Sequence, residues 1–145
     1  MGTSIALMLL RQSEIEVVLV EADTQRQEVA RRSIEDYLRS CVEAHRLSQR
    51  RCNDMLHRLR VMGSRIAPFP PVLADADLVF ECAPEVAAIK QNILAFLDSV
   101  CKRSTILATG SSAQDVNELA AVTHRPGQVL GIHFFPPANE SPLVE

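Results

Sequence analysis

Residues 15–20 read Ile-Glu-Val-Val-Leu-Val, a run rich in β-branched residues that ends at Glu21. Similar runs follow at residues 77–82 (DLVFEC), 104–109 (STILAT) and 129–135 (VLGIHFF). They are almost continuously apolar instead of alternating with polar residues, which is typical of parallel strands covered on both faces. A weaker strand candidate lies at residues 64–67 (SRIA), just before a cluster of prolines.

Two long helical patterns separate these runs. Apolar residues three or four positions apart predict a helix over residues 86–100, whose apolar stripe consists of Val86, Ile89, Ile93, Phe96, Leu97 and Val100. A similar stripe predicts a helix over residues 30–45.

Two shorter helices are also predicted. One covers residues 55–63 and ends at Gly63, and Asp115 is the expected N-cap of another that starts at Val116. Because strands alternate with helices, we expect an α/β fold with a doubly wound, mainly parallel sheet.

Composition excludes several classes of protein. The chain has 145 residues, of which 47% are hydrophobic, so it can build a core and is not a disordered tail. No apolar run reaches the ~18 residues of a membrane-spanning helix. A net charge of -3 argues against a nucleic-acid binder. The four cysteines form no C-x-x-C pair, so we expect reduced thiols and no metal site.

The start of the chain carries part of a dinucleotide-binding pattern. That pattern is a strand, then G-x-G-x-x-G, a helix, and an acidic residue about twenty positions further on. Gly2 leads a helical segment, and Glu21 follows it at about that separation. A carboxylate there binds ribose hydroxyls and repels a 2′-phosphate, which favours NAD over NADP. The alternative is that Glu21 is merely a surface residue at the end of a strand.

Three blocks of the sequence resemble the L-3-hydroxyacyl-CoA dehydrogenase family. They are residues 77–85 with Lys90, residues 106–112 (ILATGSS) and residues 130–145, which contain LGIHFFPP and PLVE. Their order and separation match, and the similarity runs along essentially the whole chain. The resemblance implies a Rossmann-type NAD-binding domain of an oxidoreductase. Such an enzyme oxidises the 3-hydroxyl of L-3-hydroxyacyl-CoA to a ketone in fatty-acid β-oxidation, and its full-length form is a homodimer.

The resemblance also implies that parts of the family's protein lie outside this sequence. Met1 and Gly2 look like the last two residues of its G-x-G-x-M-G fingerprint. We therefore expect Met1 to be an internal methionine of a longer chain whose upstream part supplies the first strand and the earlier glycines. The family's C-terminal helical domain is likewise absent from residues 1–145. We expect this partial NAD-binding domain alone to fold poorly, to bind NAD weakly or not at all, and to be inactive.

The same resemblance assigns the catalytic residues. His133 is the expected base, Glu145 its partner on the other ring nitrogen, and Ser112 a hydrogen-bond donor to the C3 oxygen of the substrate. Histidine suits this role because it titrates near neutral pH. The alternative is a structural histidine at the end of a buried strand.

The NAD contacts come from the resemblance as well. Glu85 and Lys90 stand where the family contacts NAD, and the backbone around Cys82 and Ala83 is expected to pass close to the cofactor. The alternatives are that Glu85 stabilises the first turn of a helix and that Lys90 is solvated.

Residues 24–65 contain ten arginines and five acidic residues, a net charge of +5. This stretch could attract the phosphates of coenzyme A, and an ordinary solvated helix face is the alternative. The family's CoA-contacting serine and lysine align roughly with Tyr37 and Ala44, which departs from its pattern.

Two further departures leave the substrate open. Gly110 and Pro136 replace asparagines of the family that lie near the reacting oxygen. The chain could therefore belong to a related hydroxy-acid dehydrogenase of the lambda-crystallin or carnitine dehydrogenase type, or to a non-catalytic truncated isoform. Acyl-chain length stays open, as does the choice between cytoplasm and the matrix of mitochondrion or peroxisome.

Overall fold

The computed structural model describes residues 1–63, 71–141 and 143–145, with Pro71 described by its backbone alone. The weaker strand candidate at residues 64–67 therefore lies outside the described residues. The chain divides into two compact units. The first unit contains residues 1–69 and 136–140, and the second contains residues 70–135 and 141–145.

The first unit is built on a pair of parallel strands. Its elements are α1 (Gly2–Leu10), β1 (Val17–Glu21), α2 (Thr24–Glu43), α3 (Gln49–His57) and β2 (Leu59–Gly63). Val17 lies opposite Leu59, and Glu21 lies opposite Gly63 at the carboxyl ends of both strands. Helices and strands share one apolar core, formed by Ala6, Leu7, Leu10, Val17, Ile34, Leu38, Cys52, Met55 and Leu59.

Two helix predictions in this unit were partly wrong. The helix expected over residues 55–63 ends at His57, and residues 59–63 form β2 instead. Over so few residues the spacing of the apolar side chains fits a strand as well as a helix. Backbone pairing with β1 makes residues 59–63 a strand. The helix expected to reach His45 ends at Glu43, because His45 turns the chain with a φ of 56°.

The second unit holds a three-stranded parallel sheet with the order β3-β4-β5. Its elements are α4 (Pro71–Ala74), β3 (Leu78–Glu81), α5 (Ala87–Val100), β4 (Ile106–Thr109), α6 (Val116–Ala120), a 3₁₀ turn (Pro126–Gln128) and β5 (Val129–Gly131). Asp115 caps α6 as predicted, because its side chain accepts the backbone N–H of Asn117.

The strand expected over residues 129–135 is shorter than predicted, because β5 ends at Gly131. Helix α6 comes so close there that a Cβ on Gly131 would lie 2.8 Å from Val116 Cγ2. Beyond it the chain leaves the parallel sheet, and Phe134 pairs with Val144 in an antiparallel bridge. His133 therefore follows the strand instead of ending it.

The predicted α/β class is confirmed, since every strand pair is parallel and helices connect successive strands. The two-stranded sheet has the order β1-β2 and the three-stranded sheet the order β3-β4-β5, and each is parallel, as in doubly wound folds. In such sheets the ligand binds beyond the carboxyl ends of the strands.

Candidate functional site

The segment after β5 brings together His133 and Glu145, the predicted base and its partner. Two backbone hydrogen bonds join them, from His133 N to Glu145 O at 2.8 Å and from Glu145 N to His133 O at 3.0 Å. The side chains approach as well, with 3.6 Å between His133 Nδ1 and Glu145 Oε2. This distance suits an ion pair and exceeds that of a direct hydrogen bond.

His133 keeps access to solvent. Its side chain is 38% exposed and that of Glu145 is 69% exposed, so a substrate can reach the ring. The ring of Phe135 lies 4.8 Å from the imidazole between centroids, and Phe134 is buried edge-on against Phe80. Apolar packing on Phe134 thus fixes the backbone next to the base.

A buried ion pair lies at the carboxyl end of β3. Lys90 Nζ is 3.0 Å from Glu81 Oε2, and both side chains are only 1% exposed. Thr109 Oγ1 donates to Glu81 Oε2 at 2.7 Å, and Ala83 N donates to Glu81 Oε1 at 2.5 Å. Glu81 therefore joins the end of β3 to the end of β4. The alternative that Lys90 is solvated is wrong.

Glu85 lies in the loop before α5 and connects that loop to the one after β4. Its carboxylate accepts hydrogen bonds from the Ser111 hydroxyl and, at 3.2 Å, from Ala113 N. Lys90 Nζ lies 3.2 Å from its other oxygen. The hydrogen bond from Ser111 is the largest cause that lowers the pKa of Glu85. Because α5 starts at Ala87, Glu85 precedes the helix and does not belong to its first turn.

Ser112 and Cys82 are exposed beside this network. Ser112 directly follows Ser111, which also accepts the N–H of Gln114 at 3.0 Å. Cys82 is the exposed thiol of the chain, whereas Cys41, Cys52 and Cys101 are buried, and all four are free. The prediction of reduced buried thiols therefore holds for three of them.

The first unit places Gly2 and Glu21 at ends of elements. Helix α1 begins at Gly2, and its amino terminus has neither a side-chain cap nor an acidic residue in its first turn. Glu21 ends β1, where its Oε1 accepts the N–H of Asp23 at 3.0 Å. Its backbone oxygen accepts from Gln27 Nε2 at 2.8 Å. A carboxylate at the end of a strand is the group that binds ribose in doubly wound dinucleotide-binding folds.

Sequence analysis missed Glu81, Thr109 and the burial of Lys90. The predicted apolar stripe of α5 was partly right, because Leu97 is buried, but Val86 and Ile89 are exposed and the other buried residues of the helix are Lys90 and Leu94. Spacings of four and three residues put Lys90 on the buried face. The sequence did contain a signal for this burial. It is a lysine on the buried face of the helix, nine positions after a glutamate that lies within an apolar strand.

Comparison with known proteins settles the family. The sequence model described as "3-hydroxyacyl-CoA dehydrogenase, NAD binding domain" matches residues 1–145. The chain belongs to this family. The family prediction is thus confirmed, and NAD is the cofactor that this family's NAD-binding domain implies.

Several relatives within the 3-hydroxyacyl-CoA dehydrogenases are similar over part of their length. The peroxisomal bifunctional enzyme of Cavia porcellus is 37% identical over 145 residues, all of this chain and 19% of that protein. The 3-hydroxybutyryl-CoA dehydrogenase of Clostridioides difficile is 44% identical over 73 residues, 50% of this chain and 26% of that protein. The crystal structure of the Escherichia coli 3-hydroxybutyryl-CoA dehydrogenase superimposes with a TM-score of 0.90 at 32% identity, covering 99% of this chain and 29% of that one. The matched segments thus cover between about a fifth and a third of these proteins.

Membrane-spanning helices and clusters of metal ligands are absent from the described residues. No helix within them is both long and apolar enough to cross a bilayer. Nor do these parts of the chain bring three histidine, cysteine or acidic side chains together as ligands for a metal ion.

Proposed function

We propose that this chain is the NAD-binding part of an enzyme that oxidises the 3-hydroxyl of L-3-hydroxyacyl-CoA to a ketone in fatty-acid β-oxidation. The observation that carries the proposal is the pairing of His133 with Glu145, held by two backbone hydrogen bonds beyond the carboxyl end of β5. A base held by a carboxylate at this edge of a parallel sheet suits the removal of a proton from an alcohol. The full-length enzyme is proposed to be a homodimer.

Each unit carries its own proposed cofactor contacts. In the first unit, Gly2 is proposed to contact the pyrophosphate and Glu21 the adenosine ribose. In the second unit Glu85 and the backbone at Cys82 and Ala83 lie along the nicotinamide nucleotide. When bound, NAD supplies the acceptor for the hydride that leaves C3 of the substrate.

His133 acts on the proton of the substrate hydroxyl. Its Nε2 takes the hydroxyl proton, while Glu145 beside Nδ1 holds the ring and stabilises the imidazolium that results. The exposed hydroxyl of Ser112 donates a hydrogen bond to the C3 oxygen and keeps it directed at the base.

Substitution of His133 tests this function in the longest native polypeptide that carries the sequence. We expect His133→Ala to lower kcat for acetoacetyl-CoA-dependent oxidation of NADH by about a thousandfold, because the proton has no other donor. The Kd for NADH should change less than about twofold. His57→Ala is the matched control, since His57 is exposed on α3 in the other unit. Unchanged turnover in His133→Ala would reject the proposed base.

Gly110 and Pro136 favour a second candidate, a dehydrogenase of hydroxy acids that lack coenzyme A. Both stand where the family has asparagines, so fewer polar groups are available to orient a thioester substrate. Reduction of NAD by free 3-hydroxy acids and by carnitine, compared with its reduction by an L-3-hydroxyacyl-CoA, separates the two candidates. Turnover of a free acid in the absence of acyl-CoA turnover would establish the second one.

A further inference from the structure

The carboxyl end of α1 is held by two arginines from a distant part of the chain. Residues 7–10, the last turn of α1, read Leu-Met-Leu-Leu and supply no basic side chain. Arg58 Nη2 donates to Leu10 O at 2.8 Å. Arg51 Nη2 donates to Arg11 O, also at 2.8 Å. These two bonds satisfy carbonyl groups at the end of the helix that have no partner within it.

Arg58 makes three such bonds with one side chain. Besides Leu10 O, its guanidinium reaches two carbonyls of the loop after α1, since Nη1 donates to Gln12 O and to Ile15 O, both at 2.6 Å. The backbone oxygen of Arg58 also accepts the N–H of Val17, the first residue of β1, at 2.9 Å. A planar guanidinium presents its N–H groups in a fixed fork, which an ammonium group cannot reproduce. Arg58 therefore joins the end of α1 to the starts of both strands.

These bonds set the position of α1 along its own axis. The apolar side chains that bury α1 hold it against the core, but apolar contact is non-directional and resists sliding or rotation of a helix only weakly. Hydrogen bonds to the carbonyls are directional and weaken beyond about 3.2 Å. Because a helix of nine residues is a stiff rod about 13 Å long, a displacement at Leu10 is transmitted to Gly2 at its other end.

Arg58 lies at the edge of the sheet opposite to the proposed cofactor contacts. It directly precedes β2, and Leu59 pairs with Val17 at the amino ends of the two strands. Glu21 and Gly63 pair at the carboxyl ends, about 13 Å away along the strands. The guanidinium is thus too distant to touch a dinucleotide at the carboxyl ends, and its influence there must pass through α1.

We infer that Arg58 is a positioning residue, which sets the amino end of α1 for the pyrophosphate of NAD from the opposite edge of the sheet. The inference rests on the proposed function, in which Gly2 contacts the pyrophosphate. Backbone N–H groups bind oxygen only over about 2.7–3.2 Å, so a shift of α1 by about 1 Å weakens that contact. The adenosine ribose is proposed to bind Glu21 on β1, so adenosine alone should not respond.

Arg58→Met gives the main test, because it removes the fork and keeps an unbranched stem. In calorimetric titrations of the longest native polypeptide that carries the sequence, we expect the Kd values for ADP-ribose and for NAD to rise about fivefold. The Kd for adenosine, measured by NMR titration, should stay within about twofold. The KM for NAD should rise with its Kd, while kcat at saturating concentrations of both substrates stays within about twofold.

Two further variants separate the geometry of the fork from its charge. Arg58→Lys keeps the positive charge and loses the fork, so the Kd for ADP-ribose should still rise about threefold. Full affinity in Arg58→Lys would overturn the inference. Arg60→Met is the matched control, since it removes the same charge two positions later, where Arg60 pairs with Glu16 at 3.5 Å on the surface. It should leave all three dissociation constants unchanged.

Three other results would also overturn positioning by Arg58. The first is a folded Arg58→Met protein, or a folded Arg58→Lys protein where Arg58→Met does not fold, with an unchanged Kd for ADP-ribose, because Arg58 would then act on stability alone. The second is an equal loss of affinity for adenosine, which would mean that the whole unit is disturbed. The third is an equal loss in Arg60→Met. A wild type that binds neither ADP-ribose nor NAD would instead reject the proposed function itself.

Discussion

Glu21 is the residue that we propose separates NAD from NADP. Its Oε1 is held by the N–H of Asp23, which directs the carboxylate beyond the end of β1. Sequence spacing from Gly2 was enough to predict this position, because a strand and its helix fix how far apart the two residues lie. The hydrogen bond that orients the carboxylate required the structure.

Removal of this carboxylate should relax the choice of cofactor. We expect Glu21→Ala to lower the preference for NAD over NADP by about tenfold, since a charge no longer repels the 2′-phosphate. Ratios of kcat/KM for the two cofactors provide the measurement. Glu16→Ala is the control, because Glu16 precedes β1 and pairs with Arg60 at the surface. An unaltered ratio in Glu21→Ala would mean that Glu21 does not face the ribose.

Some features of the second unit could be predicted from the sequence, and others became visible only in the structure. The pairing of His133 with Glu145 followed from the family pattern, and the structure brings the two together. The burial of Lys90 depends on which face of α5 packs on the sheet, and the predicted stripe placed Ile89 on that face, where the structure has Lys90 and Leu94. A charged residue in a core is stable only with partners, and those of Lys90, namely Glu81, Ala83 and Glu85, lie five to nine positions before it in the chain.

At the scale of elements, α5 depends on an arginine that caps its carboxyl end. Arg125 donates to the backbone oxygens of Asp98 at 2.8 Å and Cys101 at 3.2 Å. Its Nε is 2.6 Å from Asp98 Oδ1, and both side chains are 5% exposed. Burial alone raises the pKa of Asp98, but hydrogen bonds from the N–H and ring of His124 and from Arg125 outweigh it and lower the pKa to about 2.

This buried pair predicts acid-sensitive stability. Because the pKa of Asp98 is lower in the folded chain than the ordinary 3.8, its contribution is complete above pH 3.8. It is lost as the pH falls toward 2, and it amounts to something on the order of 2 kcal/mol. In urea denaturation at neutral pH, Asp98→Asn should cost about 3 kcal/mol, because it leaves Arg125 without its counterion.

Asp77 allows a matched comparison with Asp98. It pairs with Lys102 at 2.6 Å, but its side chain is 93% exposed. Asp77→Asn should therefore cost less than about 1 kcal/mol. Equal losses of stability in the two variants, or an Asp98→Asn protein whose stability falls as steeply between pH 4 and 2 as the wild type, would contradict the assigned role of this pair.

At the scale of the whole molecule, sequence alone predicted the alternation of strands and helices but not every boundary. Residues 59–63 became a strand through pairing with β1, a contact between segments some forty positions apart that local spacing cannot report. The expectation that an upstream segment supplies the first strand of the family stays a prediction. So does the poor folding of residues 1–145 alone.

The arginines of residues 24–65 lie in two different kinds of surroundings. On α2, Arg32 pairs with Glu28 and Arg39 with Glu35, so these arginines form an ordinary solvated face. Around α3, by contrast, three arginines and His57 line a cavity of about 500 Å³ together with two serines and one acid, namely Ser13, Ser48, Arg50, Arg51, Asp54, His57 and Arg58. Net positive charge around a cavity is the feature that attracts phosphate groups.

If coenzyme A uses this cavity, Arg50 controls its affinity. We expect Arg50→Ser to raise the KM for acetoacetyl-CoA about threefold at low ionic strength, and the difference should vanish near ~0.5 M salt, where charges are screened. Acetoacetyl-pantetheine lacks the phosphates, so its KM should not respond. Arg32→Ser is the control, because Arg32 lies in the same basic stretch but is paired with Glu28 at 2.7 Å. If the KM of the wild type for the CoA thioester did not depend on salt, the arginines would not attract its phosphates, because attraction between exposed charges always weakens as the salt concentration rises. The arginines would then be an ordinary solvated surface.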